Sequence, residues 1–173
     1  MNTPKIILIG PPGAGKSTVG KALAKKMNCT FADTDRLIEA EVGKKISEIF
    51  VESGEEIFRD HEARTVKNSL SNFDGVLALG GGAPINPESQ KLLDETNSTI
   101  VFLDVSLSQA ANRVGFNRER PLLLVNPRQQ WQELMNIRRP IYEKLADVKI
   151  STDSVKPQDV AEQIVKWLSS KGE

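Results

Sequence analysis

Residues 10–17 read GPPGAGKS and directly follow the apolar run Ile6–Ile9. Within them, Gly10, Gly15, Lys16 and Ser17 match the pattern G-x-x-x-x-G-K-[ST], whose structural context is a strand, a loop and a helix. Glycines allow backbone angles that turn successive N–H groups toward an anion, and the start of the next helix adds the positive end of its dipole. The pattern therefore predicts a loop that binds the phosphates of a nucleoside triphosphate.

Each polar group of this loop has a predicted task. The Lys16 ammonium is expected to reach the β- and γ-phosphates, and the Ser17 hydroxyl is expected to be a ligand of Mg²⁺. The predicted nucleotide-binding residues of the loop are Gly13, Ala14, Gly15, Lys16, Ser17 and Thr18.

The rest of the chain alternates short apolar runs with longer amphipathic stretches. Strands are predicted at Lys5–Ile9, Thr30–Ala32, Val76–Leu79, Ile100–Leu103 and Val148–Ile150. None of these runs alternates cleanly with polar residues, which is typical of strands buried on both faces of a parallel sheet. Helices are predicted at Lys16–Met27, Glu88–Glu95, Ser108–Val114, Gln129–Ala146 and Pro157–Ser170, with two or three more between Asp35 and Ser71, interrupted near Gly43 and Gly54. This order predicts a doubly wound α/β fold.

Composition limits the function classes. The chain has 173 residues, which predicts one domain over residues 1–173, and its 23 basic residues equal its 23 acidic ones. Such balance argues against nucleic-acid binding through bulk charge. Cys29 is the only cysteine, so an intramolecular disulfide is excluded. Without a signal peptide or a long apolar run, we expect a soluble cytoplasmic protein with no membrane partner.

Three further strand ends carry polar residues or glycines. Asp33 and Asp35 follow the second strand, where they either cap the next helix or serve Mg²⁺ and an incoming hydroxyl group. Three glycines, Gly80–Gly82, follow the third strand, which is typical of a place where a substrate approaches the main chain. Asp104 ends the fourth strand, and there we favour a turn into the next helix over a magnesium ligand.

Six motifs, in this order, resemble those of the shikimate kinases: GPPGAGKST (10–18), FADTD (31–35), FRDHE (58–62), LGGGA (79–83), ERPLL (119–123) and RRPIY (138–142). The resemblance implies a three-layer α/β/α P-loop kinase fold with a five-stranded parallel sheet. It also implies a helical substrate-binding segment at about residues 33–62, a mobile lid at about residues 113–126 and a monomer. The implied reaction is transfer of the γ-phosphoryl group of ATP to the 3-hydroxyl of shikimate, with Mg²⁺, in aromatic amino-acid biosynthesis.

On the acceptor side, the resemblance implies that Asp35 contacts the accepting hydroxyl and is the candidate base. Asp33 then contacts Mg²⁺ through water, although the residues themselves leave open which aspartate is the base. Arg59 and Arg138 resemble the two arginines that bind the shikimate carboxylate. The glycines that match main-chain contacts to shikimate are Gly80, Gly81 and Gly82.

On the nucleotide side, Arg120 matches the lid arginine that reaches the phosphates, and Arg113 matches the arginine that lies against adenine. The loop at residues 152–157 departs from the family, because it has Val155 and Lys156 where relatives often have an arginine. Main-chain contacts from this loop to adenine remain compatible with that difference.

Neighbouring residues have predicted supporting roles. Glu62 follows Arg59 by three positions on a predicted helix, a spacing that puts both on one face. Because Arg59 lies in the matching motif, the resemblance favours a Glu62 that holds Arg59 in place over a surface ion pair. Of Arg138 and Arg139, which precede Pro140, one is expected to be a solvated charge at a helix end, and the family pattern R-x-P-x-Y selects Arg138 as the substrate contact. Burial is expected for Trp131 and Trp167.

Two other functions compete with this interpretation. A kinase of the same fold that acts on gluconate or another small polyol acid would also need arginines for a carboxylate. A non-catalytic ATP sensor would need an interaction surface or an added domain. Phosphorylation of shikimate is favoured because the glycine, DTD and R-x-P-x-Y motifs occur together.

Overall fold

The computed structural model describes residues 4–114 and 126–172. Strands and helices alternate along them, and every predicted element is present within a few residues of its predicted bounds. The elements are β1 (Ile6–Ile9), α1 (Lys16–Lys26), β2 (Phe31–Asp33), α2 (Thr34–Val42), α3 (Ile46–Ser53), α4 (Glu55–Asn72), β3 (Val76–Ala78), a 3₁₀ turn (Ala83–Ile85), α5 (Pro87–Asp94), β4 (Thr99–Asp104), α6 (Leu107–Val114), α7 (Pro127–Leu145), β5 (Val148–Ser151) and α8 (Pro157–Lys171).

The five strands form one parallel sheet in the order β2-β3-β1-β4-β5. β1 lies in the centre, where Ile7 pairs with Leu77 on one side and Ile100 on the other. All four residues of β1 are buried, as expected for a strand covered on both faces. The predicted α/β P-loop kinase fold with a five-stranded parallel sheet is therefore confirmed.

Parallel pairing brings the carboxyl ends of all five strands to one edge of the sheet. Register places Asp33 of β2 beside Ala78 of β3, just before the glycines, and it places Ile9 of β1 beside Phe102 of β4. Open α/β sheets bind ligands at this edge. Topology thus collects the phosphate-binding loop, the FADTD motif and the LGGGA motif at this edge, although they are far apart along the chain.

The segment from α2 to α4 has a small apolar core of its own. Ile38, Ile49 and Phe58 pack together there, separate from the main core around the sheet. The predicted interruptions are confirmed: Gly43 ends α2 with a φ of +75°, and Gly54 separates α3 from α4 with a φ of +87°. The three helices therefore form a compact unit beside the edge of the sheet.

The two tryptophans differ in burial. Trp131 is buried, and its indole N–H donates to the Pro12 carbonyl oxygen at 3.1 Å. The prediction of burial was wrong for Trp167, which is only partly buried near the end of α8, with the Lys171 ammonium 5.3 Å from its ring centre. Among the described residues, no helix has the length and apolar character needed to span a membrane.

Candidate active site

The loop between β1 and α1 has the geometry of a phosphate-binding loop. Gly15, directly before α1, has a left-handed φ of +85°, and Gly10 has a φ of +148°. A Cβ atom on Gly10 would collide with the Leu103 carbonyl oxygen of β4. Only glycine is compatible with both the backbone angle and this close approach. The loop consequently wraps around the amino end of α1, where helix N–H groups favour an anion.

The Lys16 side chain lies over this loop. Its Nζ atom donates to the carbonyl oxygens of Gly10 at 2.7 Å and Pro11 at 3.0 Å. These contacts concentrate the positive charge inside the loop. A phosphate bound there would meet the ammonium group as well as the backbone N–H groups.

Ser17, Asp33 and Asp35 form a connected group beside the loop. The Ser17 hydroxyl donates to Oδ2 of Asp33, and Oδ1 of Asp33 accepts from the Asp35 N–H at 2.9 Å. Asp33 thereby caps α2, which confirms one of the two alternatives for this residue. The same carboxylate lies beside a hydroxyl on the phosphate side, so capping and a role toward Mg²⁺ are compatible.

The oxygen atoms of Ser17 and Asp33 fit a magnesium ion. Mg²⁺ prefers oxygen ligands, keeps several waters, and is bound by one or two side chains together with substrate phosphates. Among residues 4–114 and 126–172, no group of three or more histidine, cysteine, aspartate or glutamate side chains is arranged to hold a metal by itself. This donor set therefore suits a magnesium ion that arrives with a nucleotide.

The glycine segment after β3 lies directly against the Asp35 carboxylate. The Gly80 N–H donates to Oγ1 of the buried Thr34 at 3.0 Å. A Cβ atom on Gly80 would lie 2.6 Å from Oδ1 of Asp35 and 3.0 Å from Oε2 of Glu62. The glycine thus lets two carboxylates approach the main chain. Sequence reasoning missed Thr34, although its place between two candidate aspartates was a signal.

Two arginines from different helices meet at the same segment. Arg59 of α4 lies against Gly82, where its guanidinium occupies the space that a Cβ atom would need. Arg138 of α7 is only 6% exposed. Its Nη1 atom lies 3.3 Å from the place that a Cβ atom on Gly81 would occupy. The predicted pair is therefore brought together. Two guanidinium groups at one place suit a planar carboxylate, which they bind bidentately.

Glu62 lies beneath these arginines. Its Oε1 atom accepts from Nη1 of Arg59 at 2.6 Å, and the residue is only 3% exposed. The predicted contact is present, and it is buried rather than a surface pair. Burial raises the pKa of the Glu62 carboxyl above its usual range, and the charges of Arg59 and Arg138 oppose that increase.

Replacing Glu62 with glutamine is expected to change how stability depends on pH. Because the folded pKa of Glu62 is raised, the folded protein retains this proton more strongly than the unfolded chain. The contribution of the Glu62 carboxyl to the free energy of unfolding is therefore complete below the ordinary carboxyl pKa. That contribution is lost as the pH rises through the pKa that Glu62 has in the folded protein. Urea unfolding from about pH 4 to about pH 8 should show that this loss is absent in Glu62→Gln.

The exposed Glu56 of the same helix provides the control. Glu56→Gln is expected to keep the wild-type dependence of unfolding free energy on pH. If Glu62→Gln also kept the wild-type dependence, the pH-dependent loss of stability would not come from a proton on Glu62.

Tyr142 supports the glycine segment from the other side. The hydroxyl of this fully buried residue donates to the Gly81 carbonyl oxygen. Burial raises the pKa of Tyr142 to about 12, against the opposing effect of the hydrogen-bonded Arg138 guanidinium. The phenol is therefore neutral at physiological pH and remains a donor. Sequence reasoning quoted Tyr142 as part of a motif but assigned it no role.

Arg113, at the end of α6, connects two loops of the nucleotide side. Its Nη1 atom donates to Oγ1 of Thr152 at 2.8 Å and to the Gly13 carbonyl oxygen at 3.2 Å, and its Nη2 atom donates to the Thr152 carbonyl oxygen. The guanidinium thus lies between the phosphate-binding loop and the loop after β5. Thr152 was the unrecognised partner, and only its position directly after a strand marked it.

Arg120 lies outside the described residues, as does most of the predicted lid at residues 113–126. Except for the fully buried Ala14, the other predicted residues line one cavity of about 700 Å³, a size suited to small molecules. The phosphate-binding loop, Arg113, Asp35, Arg59 and Arg138 all contribute to this lining. The cavity can therefore receive an anionic phosphate group and a carboxylate at the same time.

His61, by contrast, faces away from this chemistry. It is half-buried, and its Nδ1 atom contacts Nη2 of the exposed Arg64 at 3.0 Å. It is not one of the residues that line the cavity.

Several known proteins resemble this chain over nearly its whole length. The family model for shikimate kinase matches residues 12–169. The shikimate kinase of Streptomyces avermitilis is 43% identical over 171 residues, covering 99% of both chains, and that of Thermobifida fusca is 45% identical over 170 residues, covering 98% of both. A solved structure of shikimate kinase from Acinetobacter baumannii in complex with shikimate is 34% identical and has a TM-score of 0.93, covering 99% of this chain and 95% of that one.

These matches extend over nearly the whole chain and include every motif described above, from the phosphate-binding loop to α7. The chain belongs to the shikimate kinase family.

Proposed function

We propose that the protein transfers the γ-phosphoryl group of ATP to the 3-hydroxyl of shikimate and forms shikimate 3-phosphate. The observation that carries this proposal is the convergence of Arg59 and Arg138 at the glycine segment, opposite the Asp35 carboxylate. Shikimate is a small ring with one carboxylate and three hydroxyl groups. Two guanidinium groups match the carboxylate, and a carboxylate close to backbone atoms matches a hydroxyl.

The reaction needs positioning and charge neutralisation more than covalent chemistry. The accepting oxygen forms a bond to the γ-phosphorus, the bond from that phosphorus to the β-phosphate oxygen breaks, and ADP leaves. Asp35 takes the hydroxyl proton. Lys16 neutralises charge on the phosphates, and Arg120 is proposed to add a second positive charge from the lid.

Ser17 and Asp33 would hold a magnesium ion, Ser17 directly and Asp33 through water. When bound, the ion would stabilise the negative charge of the phosphates. Asp33 also keeps Asp35 in position, because its carboxylate caps the helix on which Asp35 lies. We further propose that the loop residues Gly13 to Thr18 and Arg113 bind ATP. The protein is proposed to act as a monomer in the cytoplasm.

Replacing Gly82 with alanine is expected to raise the KM for shikimate by about tenfold, because a displaced binding group weakens substrate positioning. The new methyl group would occupy the space of the Arg59 guanidinium, which is the far end of a flexible side chain and can move away. The backbone at Gly82 has a φ of −90°, which alanine tolerates. Steady-state kinetics with each substrate varied in turn, and a thermal melt, measure the effect.

The matched control is Gly172→Ala, since Gly172 has a φ of −85° and its nearest contact would be an ordinary one at 3.7 Å. An unchanged KM for shikimate in Gly82→Ala would show that Arg59 does not bind the acceptor from its observed position.

The function itself is tested by ADP release from Mg-ATP, measured without an acceptor, with shikimate and with gluconate. Phosphorus NMR of the product identifies the phosphorylated hydroxyl. Stimulation by shikimate, with the phosphate on the 3-hydroxyl, is the expected result. Stimulation by gluconate alone would overturn the substrate, and ATP binding without stimulation by either would indicate a nucleotide sensor.

A further inference from the structure

Arg139 forms an ion pair that the reaction described above does not use. Its Nη1 and Nη2 atoms donate to Oδ2 and Oδ1 of Asp104 at 3.1 Å and 3.0 Å. The guanidinium also lies 5.7 Å from the centre of the Phe102 ring. Although 37% of its side chain is exposed, Arg139 is therefore paired with a carboxylate and not only solvated. Arg139 lies within α7 and connects it to the end of β4.

The Asp104 end of this pair is itself well fixed. Its Oδ1 atom accepts from the Val105 N–H at 2.9 Å, which fits the expected turn after β4. Its carbonyl oxygen accepts from the Thr152 N–H at 2.9 Å and from the Thr152 hydroxyl at 3.2 Å. The carboxylate thus belongs to the rigid edge of the sheet rather than to a loose loop.

The helix needs such a contact at this turn. Pro140 lies inside α7, where it has no N–H to donate to the Asn136 carbonyl oxygen four residues earlier. A proline in a helix interior weakens the backbone ladder and permits a kink. Arg138, which reaches the glycine segment, lies in this same weakened turn. Backbone hydrogen bonds alone therefore fix its direction poorly.

Two side chains hold the weakened turn in different directions. Tyr142, one turn after Arg138 on the same helix face, donates to Gly81 and packs against Phe102 with ring centres 5.2 Å apart. Arg139 points about 100° around the helix from Arg138, as successive helical residues do, and reaches Asp104. The Tyr142–Gly81 hydrogen bond sets how closely the turn approaches the glycine segment. The Arg139–Asp104 ion pair prevents rotation of the turn about the helix axis.

We propose that Asp104 is a positioning residue for the acceptor: by holding Arg139, it sets the rotation of α7 at Pro140 and thereby directs the Arg138 guanidinium at the substrate carboxylate. The inference rests on the proposed function, in which Arg138 binds shikimate. A bidentate arginine–carboxylate pair suits this task because its planar geometry restricts orientation as well as distance.

A pair that only stabilises the fold predicts a different result. Its loss would lower the melting temperature and leave the two Michaelis constants in their wild-type ratio. A positioning role predicts a selective change in the KM for shikimate, because the groups proposed to bind ATP, the phosphate-binding loop and Arg113, are joined to each other and not to the turn at Pro140.

The experiment measures kcat and both KM values for the wild type, Asp104→Asn and Arg139→Lys. Asparagine keeps the shape of Asp104 and removes its charge, whereas lysine keeps the charge of Arg139 and removes the planar fork. We expect the KM for shikimate to rise about tenfold in Asp104→Asn and by less in Arg139→Lys, with the KM for ATP unchanged. Thermal melts of each variant separate this effect from stability.

Glu143→Gln is the matched control. Glu143 contacts the same arginine at 3.8 Å and Lys149 at 3.3 Å, but it is exposed and does not touch Asp104. The KM of the Glu143→Gln variant for shikimate is expected to stay at the wild-type value. An equal rise in this control would mean that any loss of charge near Arg139 has the effect, and it would overturn the proposal.

The remaining outcomes are distinct. A wild type that turns over shikimate, together with wild-type KM values in both Asp104→Asn and Arg139→Lys, would overturn the positioning role alone. If Asp104→Asn did not fold, Arg139→Lys would decide by the same measure. A wild type without shikimate-dependent ADP release would overturn the proposed function, and this inference with it.

Discussion

Replacing Asp35 with asparagine is expected to lower kcat by about 10²- to 10⁴-fold, the range that a positioned general base contributes. Asparagine keeps the shape of the side chain but does not accept the proton of the acceptor hydroxyl. Asp33 would not compensate, because both of its oxygens already accept hydrogen bonds within the protein, from Ser17 and from the Asp35 backbone. The Asp35 carboxylate instead lies against Gly80, where the acceptor is proposed to bind.

The fold is expected to persist in Asp35→Asn, since the cap of α2 uses the Asp35 N–H and not its side chain. The measurement is kcat at saturating shikimate and Mg-ATP, with circular dichroism to verify folding. Asp60→Asn, an exposed aspartate on α4, is the control and should keep the wild-type rate. Near-normal turnover in Asp35→Asn would remove Asp35 from the role of base.

Replacing Arg138 with methionine is expected to raise the KM for shikimate by about 10²-fold or more, the range for truncating one partner of a buried charged pair. Methionine keeps most of the buried stem and removes the guanidinium. The carboxylate of shikimate would then have Arg59 alone, and Arg59 also holds the buried Glu62. Two carboxylates would compete for one guanidinium, so binding weakens more than the loss of one hydrogen bond suggests.

The KM for ATP should change little in Arg138→Met, because the groups proposed to bind ATP are the phosphate-binding loop and Arg113, which contacts that loop at Gly13. Steady-state kinetics and calorimetric titration of shikimate measure the two affinities separately. Arg64→Met, an exposed arginine on α4, serves as the control. Equal increases in both KM values would mean that Arg138 affects the site as a whole rather than the acceptor.

The local features of the fold were predictable because each depends on neighbouring residues. The phosphate-binding loop follows from glycines at positions with left-handed backbone angles, such as Gly15. The helix breaks follow from Gly43 and Gly54 for the same reason. Uniformly apolar strands predicted a parallel sheet covered on both faces. The parallel pairing is confirmed, and β1 and β3 are fully buried, whereas the edge strands β2 and β5 are only partly buried.

The Arg59–Glu62 contact was predictable from helical spacing, but its burial was not. Residues three apart on a helix lie on one face whether that face meets solvent or protein. Here α4 packs so that Glu62 is enclosed near the glycine segment, which raises its pKa. Whether a helical ion pair is exposed or buried depends on the elements around the helix.

By itself, the sequence determined the α/β class, the nucleotide-binding loop and the motifs that identify the family, because these are encoded in short stretches of chain. Only the tertiary structure decided which side chains support the site. Thr34–Gly80, Tyr142–Gly81, Arg113–Thr152 and Arg139–Asp104 join residues that are 46, 61, 39 and 35 positions apart. Such contacts depend on strand register and helix rotation across the sheet, which no local pattern specifies.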